Sequence, residues 1–516
     1  MRKLHFLNSD GYHIKPANMP SLFGFMKEYG VQANTAPKIP ELERCFGDYR
    51  DKGSVLDNAL ALVSELDREQ LWNYTFIGKK IFPLIYRELL SFGIKYLTWP
   101  DEYIKNDLRF LFDFFHDNAK TDLLSNYAAG IVWLRHWQEY FRNRRSFTHC
   151  LIYSGSDIKS ATLLEFIRIY GARPVVMETS YTGAHYYMEQ VYESIPNRSE
   201  LRFSNFYHAR LNERSTSHRE RKNVGTICGS INSVFSRLNS MCERERVDFD
   251  ATKQTLLILG QVYDDYSIIN SGMDNMSSIS FYKQAITKFM TQTDFNIVFK
   301  AHPWEREKLS TKHLKSTYEH IVEHCENTFS DQMDRIAIVE KYPLSKIFRK
   351  ADWALAINSQ SVLEAAFAGF KGIVFGNPFY GGKGFTWDCH DIDLCIRGIK
   401  EGEIHNKLTV KEFEMFETFM VAFFRHLMPK PRMYYDEIWS RLPECDEETV
   451  EYYKALRTGN LQNKKNSHPT LATPSFASRF RNALKLLKKD PYGYLGNNRR
   501  RYLHPFRYLF FLSKTK

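Results

Sequence analysis

Four short stretches of this chain place polar side chains, glycines and a histidine where a phosphorylated ligand needs them. The first is Gly260-Gln261-Val262-Tyr263-Asp264-Asp265-Tyr266-Ser267 and the second is Lys300-Ala301-His302-Pro303. The third is Asn358-Ser359-Gln360-Ser361, with Glu364 beyond it, and the fourth is Gly376-Asn377-Pro378-Phe379-Tyr380-Gly381-Gly382. Each follows an apolar run that reads as a buried strand: TLLILG (255–260), FNIVFKAH (295–302), WALAI (353–357) and GIVFGN (372–377). In open α/β sheets ligands bind outside the carboxyl ends of the strands. The four stretches therefore fall at one edge of one sheet, which is the placement that a nucleotide-sugar site requires.

Each stretch also has a plain structural reading. Asp264 and Asp265 alone read as a solvated turn, since Asp is a common turn residue. His302-Pro303 can simply cap a strand end. Ser361 and Glu364 have the S-x-x-E spacing of a capping box. The same helix start presents N–H groups and a positive dipole end to a phosphate, so Ser359 keeps a binding role even where Ser361 caps. Gly381 and Gly382 read equally as a flexible loop, and Glu364 as a cap or as a partner for a ribose hydroxyl. Lys300 either meets a ligand carboxylate or phosphate or points to the other face of its strand.

The elements that position these residues follow from periodicity. RIAIV (335–339) adds a fifth strand to the C-terminal run. Helical segments SISFYKQAITKFM, LKSTYEHIVEHCE, PLSKIFRKA and SQSVLEAAFAG lie between the strands, and 409–428 and 433–457 read as helical again. Upstream, THCLIYSG (148–155), the helix SATLLEFIRIYG (160–171) ending at Gly171, and ARPVVME (172–178) form a strand–helix–strand unit. That order predicts a parallel sheet with a right-handed crossover. Residues 56–145 space apolar residues at three and four, as helices do, with Pro83 expected to bend or interrupt one of them. Residues 1–50 carry no assignment. Residues 210–250 read as a polar linker with one helix around 228–243. The predicted organisation is a mainly helical N-terminal region over 1–145 and a Rossmann-like acceptor-side domain with linker over 146–250. A Rossmann-like donor domain with closing helices follows over 251–457, then a linker and basic aromatic tail over 458–516.

The C-terminal stretches resemble the capsule polysaccharide biosynthesis and export family, whose best understood members are β-Kdo transferases of the capsule lipid-linker pathway. Its Q-x-x-x-D-x-S segment is met by Gln261, Asp265 and Ser267, and its K-x-H-P segment by Lys300, His302 and Pro303. Its S-Q-x-x-x-E segment is met by Ser359, Gln360 and Glu364, and its G-x-P-[FYW]-Y-x-G segment by Gly376, Pro378, Phe379, Tyr380 and Gly382. The match covers roughly residues 255–386. In the N-terminal half Glu178, Tyr181 and Glu189 fit the family's acidic strand end, but its Arg-Pro is absent and its Gly-Asp-x-Arg turn is reduced to Gly155-Ser156-Asp157. The resemblance implies an α/β GT-B fold: two Rossmann-like domains facing a cleft, donor in the C-terminal one. It implies transfer of Kdo or a related ulosonic acid from a CMP-activated donor to a lipid-linked or growing saccharide. It assigns Asp265 as nucleophile, with retention of configuration. His302 and the helix start at Ser359–Ser361 are placed for the departing phosphate, and Glu178 is the candidate to activate the acceptor. Gln261, Ser267, Lys300, Pro303, Ser359, Gln360, Ser361, Glu364, Tyr380 and Gly382 are the expected donor-binding residues. No metal or cofactor is expected, the CMP-sugar being a substrate. Two other readings fit the same residues: a GT-B transferase using a nucleoside diphosphate sugar, and a non-catalytic protein that binds capsule glycolipid for an export complex.

Composition narrows the setting. The chain has 516 residues, 43% hydrophobic and 25% charged, as expected for a globular protein. Its eight cysteines are scattered without a C-x-x-C pair, which argues against a zinc site or a disulfide framework and fits a reducing cytosol. The N-terminal stretch lacks the apolar run of a signal peptide, and no stretch reaches the roughly 18–20 apolar residues that span a bilayer. The net charge of +11 is concentrated from Arg479 onward, where Asp490 is the one acidic residue. With the rest of the chain near neutral, a general nucleic-acid binder is not indicated. Residues 477–489 space Phe480, Leu484 and Leu487 helically among basic residues, and RRRYLHPFRYLFFLSK mixes basic and aromatic clusters. This composition suits an anionic membrane surface, where each Lys or Arg contributes about 1 kcal/mol and aromatic groups settle at the interface. The expected location is cytoplasmic, peripheral at the inner face of the cell membrane. Deleting residues 475–516 should release the protein from anionic vesicles in a sedimentation assay. Unchanged vesicle binding would contradict the tail's role.

Overall fold

The computed structural model describes residues 4–97, 107–142, 147–190, 199–227, 245, 247–250, 252–269, 277–303, 305–306 and 314–442. The basic tail and the helix expected around 228–243 lie outside these residues.

Two sheets, the first mixed and the second wholly parallel, organise the chain. The first comprises β1 (His5–Asn8), β2 (Gln32–Thr35), β5 (His149–Tyr153), β6 (Arg173–Thr179), β7 (His185–Glu189) and β14 (Met428–Pro429), in the order β14-β7-β6-β5-β1-β2. Its β1, β2, β5 and β6 are mutually parallel, whereas β7 runs antiparallel to both β6 and β14. A small hairpin, β3 (Thr75–Phe76) with β4 (Lys79–Lys80), stands apart. The second sheet holds β8 (Thr255–Leu259), β9 (Asn296–Lys300), β10 (Ile336–Val339), β11 (Trp353–Ala356), β12 (Gly372–Val374) and β13 (Thr386–Asp388). All its pairs are parallel, in the order β10-β9-β8-β11-β12-β13. Counted from its own first strand this is 3-2-1-4-5-6, the Rossmann order. Every residue of β8 and of β11 is buried, as a sheet covered on both faces demands. The two Rossmann-like sheets expected of a GT-B fold are present.

The N-terminal boundary differs from expectation. The first sheet does not begin near residue 146. It draws β1 and β2 from the unassigned first fifty residues, and the helices that follow are its cover. The helix Lys120–Arg142 lies against the helix Ile158–Tyr170, and Trp133, Trp137 and Tyr127 are fully buried in a core shared with Leu7, Cys150 and Ile152 of the sheet. Trp137 Nε1 donates to Thr162 Oγ1 at 3.2 Å. Pro83 does not interrupt a helix: it sits in the first turn of Phe82–Tyr96, where its missing N–H costs nothing.

The chain end ties the two sheets together. The helix Val410–His426 packs Phe416, Phe419 and Phe423 into a core that contains Val176 and Tyr187 of the first sheet and Leu257 and Val374 of the second. Its last residue, His426, meets Glu189 of β7 at 2.6 Å with both side chains fully buried. The chain then adds β14 to the first sheet, and Trp439 packs edge-on against Phe25 at 4.7 Å. No described helix is long and apolar enough to cross a membrane.

Candidate functional site

The strand order reverses between β8 and β11, and there the strand ends part into a crevice. Leu259 and Gly260 from β8, Lys300–Pro303 from β9, Ser345, and Ser359, Ser361 and Glu364 from the segment after β11 line a cavity of about 140 Å³. Gly260 is required there, because a Cβ would stand 2.8 Å from the Phe299 ring and 3.0 Å from the Lys300 carbonyl. Of the residues singled out by sequence, the fold brings Lys300, His302, Pro303, Ser359, Ser361 and Glu364 together around one space.

The others support or flank this space rather than line it. Gln261 and Asn358 form a reciprocal amide pair: Gln261 Nε2 donates to Asn358 Oδ1 at 2.7 Å, and the Asn358 N–H donates to Gln261 Oε1 at 3.1 Å. Asn358 Nδ2 donates to the carbonyl of buried Ser267 at 2.8 Å. Tyr380 is fully buried and its hydroxyl donates to the Ser359 carbonyl at 2.5 Å, fixing the loop from behind. Gly382 lies on an exposed turn with φ +67°, its N–H held by Asp388 at 2.8 Å. Gln360 turns to the other domain, where Tyr187 donates to its Oε1 at 3.4 Å. Glu178 is the last residue but one of β6 on the facing sheet and lies near enough to Tyr153 and Tyr187 to raise both phenols after burial has done so. The four stretches at this sheet edge therefore divide their work: His302 and Ser359 line the crevice, while Gln261 and Tyr380 brace it.

The capping box expected of Ser361 and Glu364 is also absent. The helix Ser361–Phe367 has Gln360 at its N-cap position without a side-chain bond. The Ser361 N–H is taken by Ser359 Oγ at 3.2 Å, and the Ser361 side chain instead hydrogen-bonds the Glu364 carboxyl. Burial pushes that carboxyl up to about 7, against the opposing pull of Ser361 and the Lys300 charge. Lys300 lines the crevice, so it does not point to the opposite face. Its ammonium donates to the Ala301 carbonyl at 3.1 Å and to the Glu340 carbonyl. Burial lowers it to about 8, opposed by the charges of Glu245, Glu340 and Glu364. It contributes positive potential from a fixed position.

Asp265 is exposed on the turn after β8, where its Oδ1 accepts the Ser267 N–H at 2.8 Å. Its neighbour Asp264 is not the solvated turn residue that its type suggested. Asp264 is buried and pairs with Lys95 at 2.7 Å, both side chains under a tenth exposed, and its carbonyl accepts from Ser91 Oγ at 2.9 Å. Lys95 and Ser91 belong to the helix Phe82–Tyr96 of the first domain, so this contact locks the Asp265 turn onto the facing domain. Glu305 completes the anchorage. Buried three residues after His302, it accepts from the Tyr263 N–H at 3.1 Å and from the Thr317 N–H and hydroxyl at 3.0 and 2.9 Å. Glu305 and Lys95 were missed in the sequence, and Asn358 was singled out only as part of its stretch, without a bracing role; the polar residue amid an apolar helix was the one available signal, at Lys95.

Residues 176–405 match the family model described as capsule polysaccharide biosynthesis protein. The family resemblance holds over that stretch. It runs from β6 through the whole second sheet. No curated protein sequence matches the chain significantly. Among solved structures, the KpsC β-Kdo 2,4-transferase of Thermosulfurimonas dismutans is 14% identical, with 54% of this chain and 79% of that one covered and a TM-score of 0.35. The KpsC β-Kdo 2,7-transferase of the same organism is 17% identical over 60% and 88%, at 0.35. MnaA of S. aureus with UDP is 10% identical over 91% and 100%, at 0.31. The architecture rests on the strand order above, not on these likenesses.

Two measurements check the electrostatics. Removing one partner of a buried ion pair costs about 3–5 kcal/mol, so Asp264→Ala should lower stability on that scale in denaturant unfolding, and adding Lys95→Met should recover part of the loss. Equal stability of wild type and Asp264→Ala would contradict the buried pair. The Glu364 carboxyl, raised from 4.5 to about 7, keeps its proton longer folded than unfolded. Its stabilising contribution is therefore complete below pH 4.5 and lost as pH rises through about 7. Glu364→Gln should flatten the decline of Tm between pH 5 and 8. Parallel profiles for variant and wild type would contradict it.

Proposed function

We propose that the chain is a glycosyltransferase of capsular or surface polysaccharide biosynthesis, transferring Kdo or a related ulosonic acid from a CMP-activated donor to a lipid-linked or growing saccharide. The observation that carries this reading is the crevice at the switch point of a Rossmann-ordered sheet, lined by Lys300, His302, Ser359 and Glu364, inside the stretch that matches the capsule family. The choice of an ulosonic acid comes from the four motif segments.

Cleaving such a donor builds positive charge at the anomeric carbon and negative charge on the departing phosphate. His302 and the Ser359 hydroxyl are positioned to bond phosphate oxygens, and the buried Lys300 charge favours an anion between them. Preorganised groups of this kind stabilise developing charge without rearranging at the moment of reaction. Glu364, which lines the crevice, is the proposed partner of a ribose hydroxyl. Asp265, exposed and braced through Asp264, is the proposed nucleophile of a retaining double displacement. Such a reaction needs a second group to take the acceptor's proton, and Glu178 stands on the facing sheet. An anionic membrane surface, met by the basic tail, and an export complex are the proposed membrane and protein partners.

The test is a donor screen that follows free nucleotide. Wild type should release CMP from CMP-Kdo, and Asp265→Ala and His302→Ala should each lose at least ~10²-fold in rate, the scale of one preorganised group, while circular dichroism shows them folded. Release of a nucleoside diphosphate from another donor would replace the CMP-sugar assignment. Donor binding without turnover would make the chain a binding module.

A further inference from the structure

Two of the scattered cysteines come together in the second domain. Cys389 directly follows β13, the edge strand, and its N–H donates to the Val374 carbonyl of β12 at 2.8 Å. Cys395 lies in the first turns of the helix Ile392–Glu401. Both pack into the core of the second sheet, Cys395 with 2% of its surface exposed and Cys389 half-buried at the margin. Their thiols hydrogen-bond to each other. Among the described residues no group of three His, Cys, Asp or Glu side chains suited to a metal ion forms, so the pair stands as a dithiol.

The two sulfurs are not equivalent. The hydrogen bond from Cys395 holds the Cys389 thiol below its ordinary range, against burial and the Asp388 charge. The same bond, with burial and the charges of Cys389 and Asp391, pushes Cys395 up. Cys389 is thus the sulfur that ionises first and the one that solvent reaches, while Cys395 keeps a proton beside it. Thiolate character and access together select the sulfur that an oxidant attacks. A second thiol in contact with it resolves the product into a disulfide.

A short path joins the pair to the donor site. Asp388 immediately precedes Cys389. Its Oδ2 accepts the Gly382 N–H at 2.8 Å and its Oδ1 accepts the Thr386 hydroxyl at 3.1 Å. The turn is closely fitted to this carboxylate, since a Cβ on Gly381 would stand 3.0 Å from Asp388 Oδ1. The turn follows Tyr380, whose hydroxyl donates to the carbonyl of Ser359 in the crevice wall at 2.5 Å. In a disulfide the sulfurs stand about 2.0 Å apart, closer than a hydrogen bond leaves them. Cys395 is buried within a helix and Cys389 leaves an edge strand, so the approach falls to Cys389 and carries Asp388 with it.

We propose that Cys389 and Cys395 are a modification site for peroxide, which closes them into an intrachain disulfide, and that closure releases the hold of Asp388 on the Gly381–Gly382 turn. The Cys389 sulfur attacks one peroxide oxygen, and an S–O bond forms as the O–O bond breaks. The departing hydroxide takes the Cys395 proton and leaves as water. The Cys395 thiolate then attacks the sulfur of the Cys389 sulfenic acid. The S–S bond forms as the S–O bond breaks, and the second hydroxide takes a proton from solvent. The two thiols give up two electrons between them, and one peroxide becomes two waters. A dithiol reductant reopens the pair by exchange, so in a reducing compartment the closed state is transient. The loss of nucleotide affinity expected on closure rests on the transferase reading above; the disulfide itself does not.

Trypsin cuts after Lys383 and Arg397 and releases both cysteines in the one peptide 384–397. The full chain is treated with hydrogen peroxide, labelled with N-ethylmaleimide under denaturing conditions and mapped. CMP affinity and hydrogen exchange over 378–385 are measured before and after treatment. Peptide 384–397 should lack two hydrogens and carry no label. The Gly382 N–H should exchange faster, and CMP should bind ~10-fold more weakly, the scale of one lost hydrogen bond. Dithiothreitol should restore both. Cys395→Ser, shown folded by circular dichroism, should stop at a Cys389 sulfenic acid that dimedone captures. Cys389→Ser should keep its CMP affinity through the same treatment. Two labels on peptide 384–397 after peroxide would overturn the proposal, as would a disulfide that leaves Gly382 exchange unchanged. An equal loss of affinity in Cys389→Ser would overturn the link to the donor site. Reduced wild type that binds no CMP would remove the nucleotide reading, while peptide mass and exchange still decide the dithiol.

Discussion

The amide pair between Gln261 and Asn358 is the interaction on which the rest of the site depends. A Rossmann-ordered sheet opens where its connections diverge, and beyond the last ladder pair, Leu259 with Ala356, the segments leaving β8 and β11 have no shared ladder to hold them. Two hydrogen bonds between the side chain of one and the side chain and backbone of the other close that gap at its base, and a third, from Asn358 to the Ser267 carbonyl, draws the Asp265 turn inward. Buried amides left unsatisfied cost about 1–3 kcal/mol each, so the pair is favoured only in this register. The crevice above it has a fixed width because its floor is fixed.

The same division between floor and face recurs around the site. Tyr380 grips the Ser359 carbonyl from behind, Glu305 ties Tyr263 to the helix Thr317–Thr328, and Asp264 anchors the turn to Lys95. His302, Ser359 and Glu364 line the open space, while Gln261, Ser267 and Tyr380 brace it without lining it.

The second sheet was largely legible in the sequence, because every strand but β13 is a continuous apolar run ended by glycine or a polar residue; β13, the short polar Thr386–Asp388, was not foreseen. The polar segments after β8, β9 and β11 could be placed for the same reason. The first sheet was legible only at β5 and β6. β1 is four residues long, β2 is almost wholly exposed, and β14 arrives from more than two hundred residues beyond β7; no local period announces any of them. Asp264 misled because an Asp-Asp pair has the composition of a surface turn, and its partner Lys95 lies in another domain. The Ser361–Glu364 cap failed because the chain enters that helix one residue earlier than the motif assumes, leaving the serine inside the first turn.

Whether the switch-point crevice holds the nucleotide phosphate is tested most directly by a crystal structure of the protein with CMP. The phosphate should lie within hydrogen-bonding distance of His302 and Ser359, with the ribose towards Glu364. Nucleotide bound at the opposite edge of the same sheet, around Gln254 and Arg335, with the switch-point crevice empty, would contradict it.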